Sequence, residues 1–317
     1  MRISVIIPVY NGERFITESL DSALNQTLRP FEIIVVNDGS TDGTETIVER
    51  YIKQFGDIIH YIYQINKGIS GAYNTGIAAA HGECIAFLEQ DDLWEIDKLE
   101  KQTRFLEKNP DCAMVYTPVN ILREGNVSKV KARFDKKPTK HKYDFADFIV
   151  KNRVRNCSSV LLRKSALEEV GGFNEVLRLA FDYDLWLRLL VNHAICVIEE
   201  PLTIYRVHEN NFSKDEHDLM AAENTVMVLM KWYKQSQIKQ KVGKKVFQQR
   251  FKSLRNAIAW QHMKNDNDVG IRETYWSYLK VDPFDLSAWG QLFWFSLGRK
   301  IRRNLQYFAS RLRRLFA

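Results

Sequence analysis

The first 120 residues alternate strand-length apolar runs with segments of helical period, and few folds accommodate that order. "ISVIIPVY" is an apolar run of strand length. After "NGE", Phe15, Ile16, Ser19, Leu20, Ala23 and Leu24 recur at helical spacing. "FEIIVVND" predicts a second strand, and Asp42 with Glu45 predicts a capping box opening the helix "TETIVERYIKQF". "IIHYIY" predicts a third strand and "SGAYNTGIAAAHG" a helix of small residues closed by Gly82. "ECIAFL" predicts a fourth strand, "LWEIDKLEKQTRFLEKN" a helix stopping before Pro110, and "CAMVYTPV" a fifth strand. The alternation predicts an α/β fold: a mostly parallel sheet with helices on both faces. In such sheets ligands bind beyond the carboxyl ends of the strands.

Residues 120–142 are polar, lysine-rich and without period, and read as a loop. The pattern returns near residue 155 with "NCSSVLLR" (strand), "KSALEEVGGF" (helix, then a glycine stop), "DYDLWLRLLVN" (helix) and "AICVIEE" (strand). After about residue 212 strand patterns fade. Three or four amphipathic helices are expected there, which divides the chain into residues 1–212 and a helical extension, residues 213–317.

Three polar clusters fall where strands should end: Pro8 to Glu13, Asn37 to Thr44, and Glu89 to Asp92. In a parallel sheet all three lie along one edge. Singly, each has a plain explanation, because Asp38-Gly39 is good turn chemistry and Asp42 is a good helix cap. Together they repeat carboxylates where a fold needs only turns, and carboxylates at a buried strand's mouth cost desolvation energy unless compensated. The phosphate loops GxxxxGK[ST] and GxGxxG are absent. The other common device for holding phosphate is a carboxylate-bound divalent cation, Mg²⁺ or Mn²⁺. In an extended segment Glu89-x-Asp91 directs both side chains to one face.

The formal net charge is +7, and residues 299–317 hold seven basic and no acidic residues, leaving residues 1–298 neutral. A nucleic-acid-binding body is therefore not indicated. The four cysteines, Cys84, Cys112, Cys157 and Cys196, are scattered without a CxxC pair and read as buried free thiols of a reducing compartment. "MRISVIIPVY" lacks the pattern of a signal peptide, and no run approaches the roughly 18 apolar residues that span a bilayer. A cytoplasmic location is expected.

The segments "SVIIPVYNGERFITESLDSALNQT", "EIIVVNDGSTDGT", "NKGISGAYNTGIAAAHGECIAFLEQDDLW", "GGFNE", "FDYDLWLRL" and "YRVH" resemble, in order and spacing, the successive motifs of family-two glycosyltransferases of the GT-A fold. The resemblance covers about residues 1–210. It implies that the turn Pro8–Glu13, including Tyr10 and Asn11, and Asp38 hold the base and ribose of a nucleotide sugar, a UDP-sugar foremost. Lys67 and Gly68 flank the nucleotide. Glu89-Gln90-Asp91 takes the metal-binding D-x-D position, with Asp91 the direct ligand, and Asp92 extends the acidic cluster. Asp182 takes the place of the general base, and His208 reaches the diphosphate or the metal from the far side. This chain departs from the pattern twice. Glu89 replaces the first Asp of D-x-D, and Phe181 stands before the base where the family often has an acid, which implies a more apolar acceptor pocket.

The implied reaction is an inverting, metal-dependent transfer of a sugar to a hydroxyl of a glycan or lipid-linked acceptor in cell-surface polysaccharide synthesis. The residue types suit it: a leaving diphosphate needs charge stabilisation and an attacking hydroxyl needs a base. Two alternatives stay open. One is a nucleotidyltransferase, although "NGERFI" offers only Arg14 toward a triphosphate; the other is a non-catalytic sugar-nucleotide-binding protein. Asp182, Asp184 and Arg188 also read as exposed helix positions, the last two four apart and able to pair. Trp186 reads as packing. His60, His81, His141, His193, His217 and His262 have no metal-like spacing. In the tail, Leu297, Ile301, Leu305, Phe308, Leu312 and Leu315 mark one helical face among arginines. Such a helix fits an anionic membrane surface at the inner face of the cell membrane, or packs on the catalytic domain.

Overall fold

The computed structural model describes residues 1–123, 141–209, 211, 218–297, 301, 302 and 305. The chain divides into two compact units, Met1–Phe212 and Ser213–Ala317. In the first unit the apolar runs become strands: β1 (Ile3–Val9), β2 (Glu32–Asn37), β3 (Ile59–Tyr63) and β4 (Cys84–Phe87). They are followed by β5 (Leu93–Trp94), β6 (Cys112–Tyr116), β7 (Val119–Arg123), β8 (Lys142–Tyr143), β9 (Val160–Arg163), β10 (Ala194–Val197) and β11 (Thr203–Val207). Eight of these build the main sheet in the order β3-β2-β1-β4-β9-β6-β10-β8, and β5-β11-β7 build a small second sheet. The main sheet is parallel except at β9 and β8.

Between and after the strands run α1 (Ile16–Leu24), α2 (Thr44–Phe55), α3 (Gly68–Ala79), α4 (Lys98–Lys108), α5 (Phe145–Val150), α6 (Lys164–Val170) and α7 (Phe181–Leu189). Side chains alternate faces along a strand. Ile3, Val5, Ile7 and Val9 of β1 share one core with Leu20 of α1, Val48 of α2 and Leu99 of α4. Ile6 faces the other way, under α3. The approach there is so close that a Cβ on Gly76 would stand 2.4 Å from the Ile6 side chain, so only glycine fits. Beside it Tyr73 of α3 packs on Phe87 and Phe173, with centroids 4.8 and 4.9 Å apart. Helices therefore cover both faces, and every residue of β1, β2, β4 and β6 is buried, as expected for central parallel strands. Register pairs Val9 with Asn37 and Ile6 with Phe87, so the segments after β1, β2 and β4 open on the same edge.

Several expectations are corrected. Leu93-Trp94 is not helical: it pairs antiparallel with β11, and α4 begins only at Lys98. The segment read as a loop from residue 120 to 142 begins as β7 and ends at β8, while residues 124–140 lie outside the described ones. Asp42 and Glu45 form no capping box. Asp42 accepts instead from the Thr44 N–H and hydroxyl and from the Glu13 N–H, and Gly43 stands at the cap. Cys112 of β6 and Cys196 of β10, Cα atoms 6.0 Å apart on neighbouring strands, are joined as a disulfide, so only Cys84 and Cys157 are free and buried.

The second unit holds α8 (Asp218–Tyr233), α9 (Ser236–Val242), α10 (Lys244–Lys264), α11 (Asp268–Leu279) and α12 (Leu286–Ser296), one helix more than expected because Gly243, at φ +91°, breaks α9 from α10. Most of the basic tail lies outside the described residues, and no helix among the described residues is long and apolar enough to cross a membrane. Arg255 organises this unit. Its guanidinium is buried, lies over the rings of Tyr275 and Tyr278, and pairs with Asp285 at 3.1 Å. Asp285 caps α12 through the Ser287 and Ala288 N–H groups. Burial pushes the Asp285 carboxyl up, but the Ser287 hydroxyl, the Ala288 N–H, Lys252 and Arg255 outweigh it and hold it well below the usual range. A depressed folded pKa gives stability that is complete above the unfolded value of about 4 and is lost as pH falls through the folded value. Asp285→Ala is expected to destabilise the chain by about 3 kcal/mol at pH 7, from a lost buried pair and a lost cap. In urea melts the gap between variant and wild type should close below about pH 4; a gap unchanged in acid would exclude the charged pair as its source.

Candidate active site

The first two loops of the open edge are locked together by their own polar side chains. Asn11 N–H donates to the Ser40 hydroxyl (2.9 Å) and Thr41 N–H to Asn11 Oδ1 (2.8 Å). Glu13 N–H donates to Asp42 Oδ2 and Gly43 N–H to Glu13 Oε2. Asn11 takes a left-handed backbone at φ +49° to make this exchange. Gln90 ties in the third loop, accepting from Tyr10 N–H (2.8 Å) and donating to Tyr10 O (3.2 Å). Pro8 is buried inside β1, opposite Val36. The side chains of Asn11, Glu13 and Gln90 thus shape the edge, while the Tyr10 ring, 49% exposed, stands open on it. Asp38 is buried, and its Oδ1 accepts from Gln64 Nε2 (2.6 Å) and Lys67 N–H (2.8 Å). Lys67 and Gly68 are exposed at the start of α3, Gly68 at φ +78°.

The third loop turns on Asp92, which is fully buried. Its Oδ2 accepts from Asn156 Nδ2 (2.5 Å) and the Ser158 hydroxyl (2.6 Å), its Oδ1 from Arg206 N–H (3.1 Å), and its carbonyl from the Ser19 hydroxyl (2.7 Å). Ser158 also accepts from Glu89 N–H (3.0 Å). Arg206 reaches across as well, donating from Nε to the Asp91 carbonyl (2.9 Å) and from Nη2 to Glu18 (2.8 Å), with its guanidinium over the Phe15 ring. Burial and the adjacent Asp91 push the Asp92 carboxyl up to about 8, against the pull of Ser158, Arg206 and Asn156. Sequence reading placed Asp92 in an acidic cluster and overlooked Asn156, Ser158 and Arg206. The signals were the polar "NCSS" before a strand and the Arg within "YRVH".

With Asp92 turned inward, Asp91 faces His208. Asp91 Oδ2 and His208 Nε2 are 2.9 Å apart, and Asn211 Nδ2 lies 3.4 Å from the same oxygen. The two side chains are 17% and 7% exposed, and the imidazole packs on Phe15 at 4.5 Å. Glu89 lies close to three more carboxyls: burial, then Asp92, Asp91 and Asp182, push its carboxyl well above the usual range. Asp182 sits in the first turn of α7, where Asn152 Nδ2 approaches its Oδ2 at 3.4 Å, and burial raises its carboxyl too. The residue before the helix, Ala180, is held at φ +57°, an unusual cost for a residue with a Cβ. Sequence positions 91 and 208 are therefore in direct contact, and the carboxyls at 91 and 182 act electrostatically on that at 89.

Asp184 and Arg188 do pair, at 2.8 Å, but not on the surface: Asp184 is 2% exposed. Arg188 uses its other donors on the carbonyls of Val170, Gly171 and Gly172, clamping the turn after α6. Phe181 joins a ring cluster with Tyr73 and Phe173. Asn74 holds the next turn through the Phe173 N–H and carbonyl and the Glu175 carboxylate.

The sequence model described as glycosyl transferase family 2 matches residues 4–171. The chain belongs to that family. It is 37% identical over 209 residues to an uncharacterized glycosyltransferase of Rickettsia typhi, an alignment covering 65% of this chain and 64% of the relative. It is 32% identical over 216 residues to the putative teichuronic acid biosynthesis glycosyltransferase TuaG of Bacillus subtilis, covering 68% of this chain and 82% of TuaG. The chain thus spans slightly less than two thirds of the Rickettsia typhi relative and 35% of a Rickettsia conorii one. Among solved structures, S. aureus TarS 1–349 in complex with UDP-GlcNAc matches with TM-score 0.68 at 19% identity, over 97% of this chain and 92% of that one. The mannosyltransferase PcManGT of Pyrobaculum calidifontis, in complex with GDP-Man and Mn²⁺, matches with TM-score 0.61 at 20% identity, over 92% and 78%. These likenesses are of fold, and the family-two chain has the GT-A architecture.

Asp92→Ala removes the common acceptor of Asn156, Ser158 and the Arg206 N–H. It is expected to destabilise the chain by about 3 kcal/mol in chemical denaturation, because buried donors are left unpaired. A loss under about 1 kcal/mol would mean that water replaces the carboxylate without consequence.

Proposed function

We propose that this chain is an inverting, metal-dependent glycosyltransferase that moves a sugar from a UDP-sugar to a hydroxyl of a glycan or lipid-linked acceptor in cell-surface polysaccharide synthesis. The observation that carries the reading is the meeting of Asp91 and His208 at 2.9 Å beside the carboxyls of Glu89 and Asp182. These three carboxyls and the imidazole suit a cation, which would offset the mutual repulsion that raises Glu89. Adjacent donors on a six-coordinate ion with bonds of about 2.1 Å stand about 3 Å apart, which the Asp91–His208 separation suits. Among the described residues no group of three or more His, Cys, Asp and Glu side chains forms a ready cage. Mg²⁺ and Mn²⁺ sites in such enzymes often take one or two protein ligands and complete their shell with substrate phosphates and water. Asp91 and His208 would hold the ion, with Glu89 toward a bound water or the ribose. When bound, the ion supplies charge stabilisation to the departing diphosphate.

The residues of the chain then divide the work. Asp38, the Tyr10 ring and the Lys67–Gly68 turn flank the base and ribose. Asp182 takes the proton of the acceptor hydroxyl as that oxygen bonds to the anomeric carbon, while the bond to the diphosphate oxygen breaks on the opposite side. One base and no enzyme nucleophile give inversion. The raised carboxyl of Asp182 suits a group that must accept a proton. The names of TuaG and of the TarS complex support a surface glycan and a UDP-sugar, and the Mn²⁺ of the PcManGT complex supports the cation. We place the enzyme, through its basic tail, as a peripheral protein at the inner face of the cell membrane. Its two-unit division corresponds to a catalytic domain and a helical extension.

A thermal-shift screen of nucleotide sugars with Mn²⁺ should single out one donor by a rise in melting temperature. With that donor, Asp182→Asn is expected to abolish transfer, a loss of about a thousandfold or more, while the donor-induced shift survives. Asp91→Ala should lose the Mn²⁺-dependent part of donor binding in calorimetry. Near-normal turnover in the first variant would remove Asp182 as the base, and unchanged metal dependence in the second would remove Asp91 from the site.

A further inference from the structure

Among its described residues, the C-terminal unit has an exposed apolar face. α12 contains no charged residue. Leu286, Trp289 and Phe293, spaced three and four apart, form one stripe along it, and they are 83%, 42% and 68% exposed. Phe284, in the turn before the helix, is 86% exposed. Trp276 of α11 extends the face, half exposed and edge-on to Trp289 at 6.1 Å. Fraying does not account for this exposure. Asp285, between Phe284 and Leu286, is fixed by Arg255, Lys252 and the N–H groups of Ser287 and Ala288. The turn is pinned with its apolar side chains outward, and contiguous apolar surface of this kind marks an interaction site.

Charge decides what fits it. Residues 213–317 carry 20 Lys and Arg against 9 Asp and Glu, a net of +11, whereas residues 1–212 carry 26 against 30. From Leu286 to Ala317 there are seven basic residues and no acidic one. A second copy docking here would bring one strongly positive unit against another. A soluble polyanion would answer the charge and leave the Phe, Leu and Trp side chains in water. An anionic bilayer answers both, since Trp and Phe prefer the interfacial zone and basic residues the anionic headgroups. We propose that the face formed by Phe284, Leu286, Trp289, Phe293 and Trp276 inserts into the headgroup region of an anionic membrane. This rests on the membrane placement given above and moves its main apolar anchor from the tail to the folded unit, with the tail adding charge.

The test is co-sedimentation of the full chain with phosphatidylcholine vesicles, with and without phosphatidylglycerol. Wild type should sediment with the anionic vesicles and not with the neutral ones. The triple variant Phe284→Ser, Leu286→Ser, Phe293→Ser should lose about 100-fold in partitioning with an unchanged melt. Phe284→Ser alone, in an open turn where folding is not at stake, should lose several-fold. Arg311→Gln, Arg313→Gln, Arg314→Gln should weaken binding in a salt-sensitive way. If the serine variants bind like wild type while the tail variant does not, the tail alone holds the membrane and the inference is overturned. It is equally overturned if no protein binds vesicles and light scattering shows a dimer that the triple variant dissolves. The donor-induced melting shift, measured on the same proteins, should stay unchanged, so a failure here is distinct from a failure of the transfer reading.

Discussion

The buried carboxylate of Asp92 is the constraint on which the site depends. A carboxyl with no exposure is expensive unless it is bonded, and the donors that hold this residue come from three separate places in the chain. Asn156 and Ser158 stand ahead of β9, the Arg206 N–H belongs to β11, and Ser19 of α1 holds the Asp92 carbonyl. Bonding this one residue, through its carboxyl and its carbonyl, therefore fixes the end of β4, the small sheet and the first helix relative to one another. The consequence for chemistry is local. Because Asp92 is turned in, its neighbour Asp91 is turned toward His208, and the two-residue step from Arg206 to His208 becomes a ruler.

The polar residues of the edge fall into two groups. Asn11, Glu13, Ser40 and Asp42 spend their hydrogen bonds on one another, and Gln90 spends its amide on Tyr10. These bonds hold the three loops still and preorganise the edge. Tyr10, Lys67, Glu89, Asp91 and Asp182 form the second group. Glu89 is the informative member. Its extra methylene does not take it out of the cluster, since its carboxyl responds to Asp92, Asp91 and Asp182 alike. Phe181, the other departure, contributes a ring to the packing around Tyr73 and Phe173, so apolarity beside Asp182 also serves the core.

Long apolar runs were legible because a strand buried on both faces leaves no alternative reading: β1, β2, β4 and β6 appear where "ISVIIPV", "EIIVVN", "CIAF" and "CAMVY" predict them. Leu93-Trp94 and Val119–Arg123 were not legible as a second sheet. Two to five residues carry little pattern, and their strand character comes from pairing with β11, more than 80 residues away. Long-range bonds were invisible for the same reason. Cys112 and Cys196 meet only because β6 and β10 become neighbours, and Asp92 finds its donors 64 to 114 positions later. The candidate site itself came from family resemblance. Spacing could place carboxylates at strand ends, but it could not say that Asp92 faces inward while Asp91 faces His208.

Electrostatics links the two units to the proposed chemistry. Residues 1–212 carry a formal net charge of −4, and the carboxyl of Glu89 interacts with those of Asp92, Asp91 and Asp182, which raise it above the usual range. A nucleoside diphosphate entering such a field is repelled, and focusing by low-dielectric walls strengthens the repulsion. Arg206 does not relieve it, because its guanidinium is committed to the Asp91 carbonyl and Glu18. Under the proposed chemistry, a cation between the donor's phosphates and these carboxyls would make donor affinity and cation affinity one coupled quantity. The positive charge of the chain is meanwhile concentrated in residues 213–317. Under the membrane proposal, that charge would face an anionic surface rather than the donor edge.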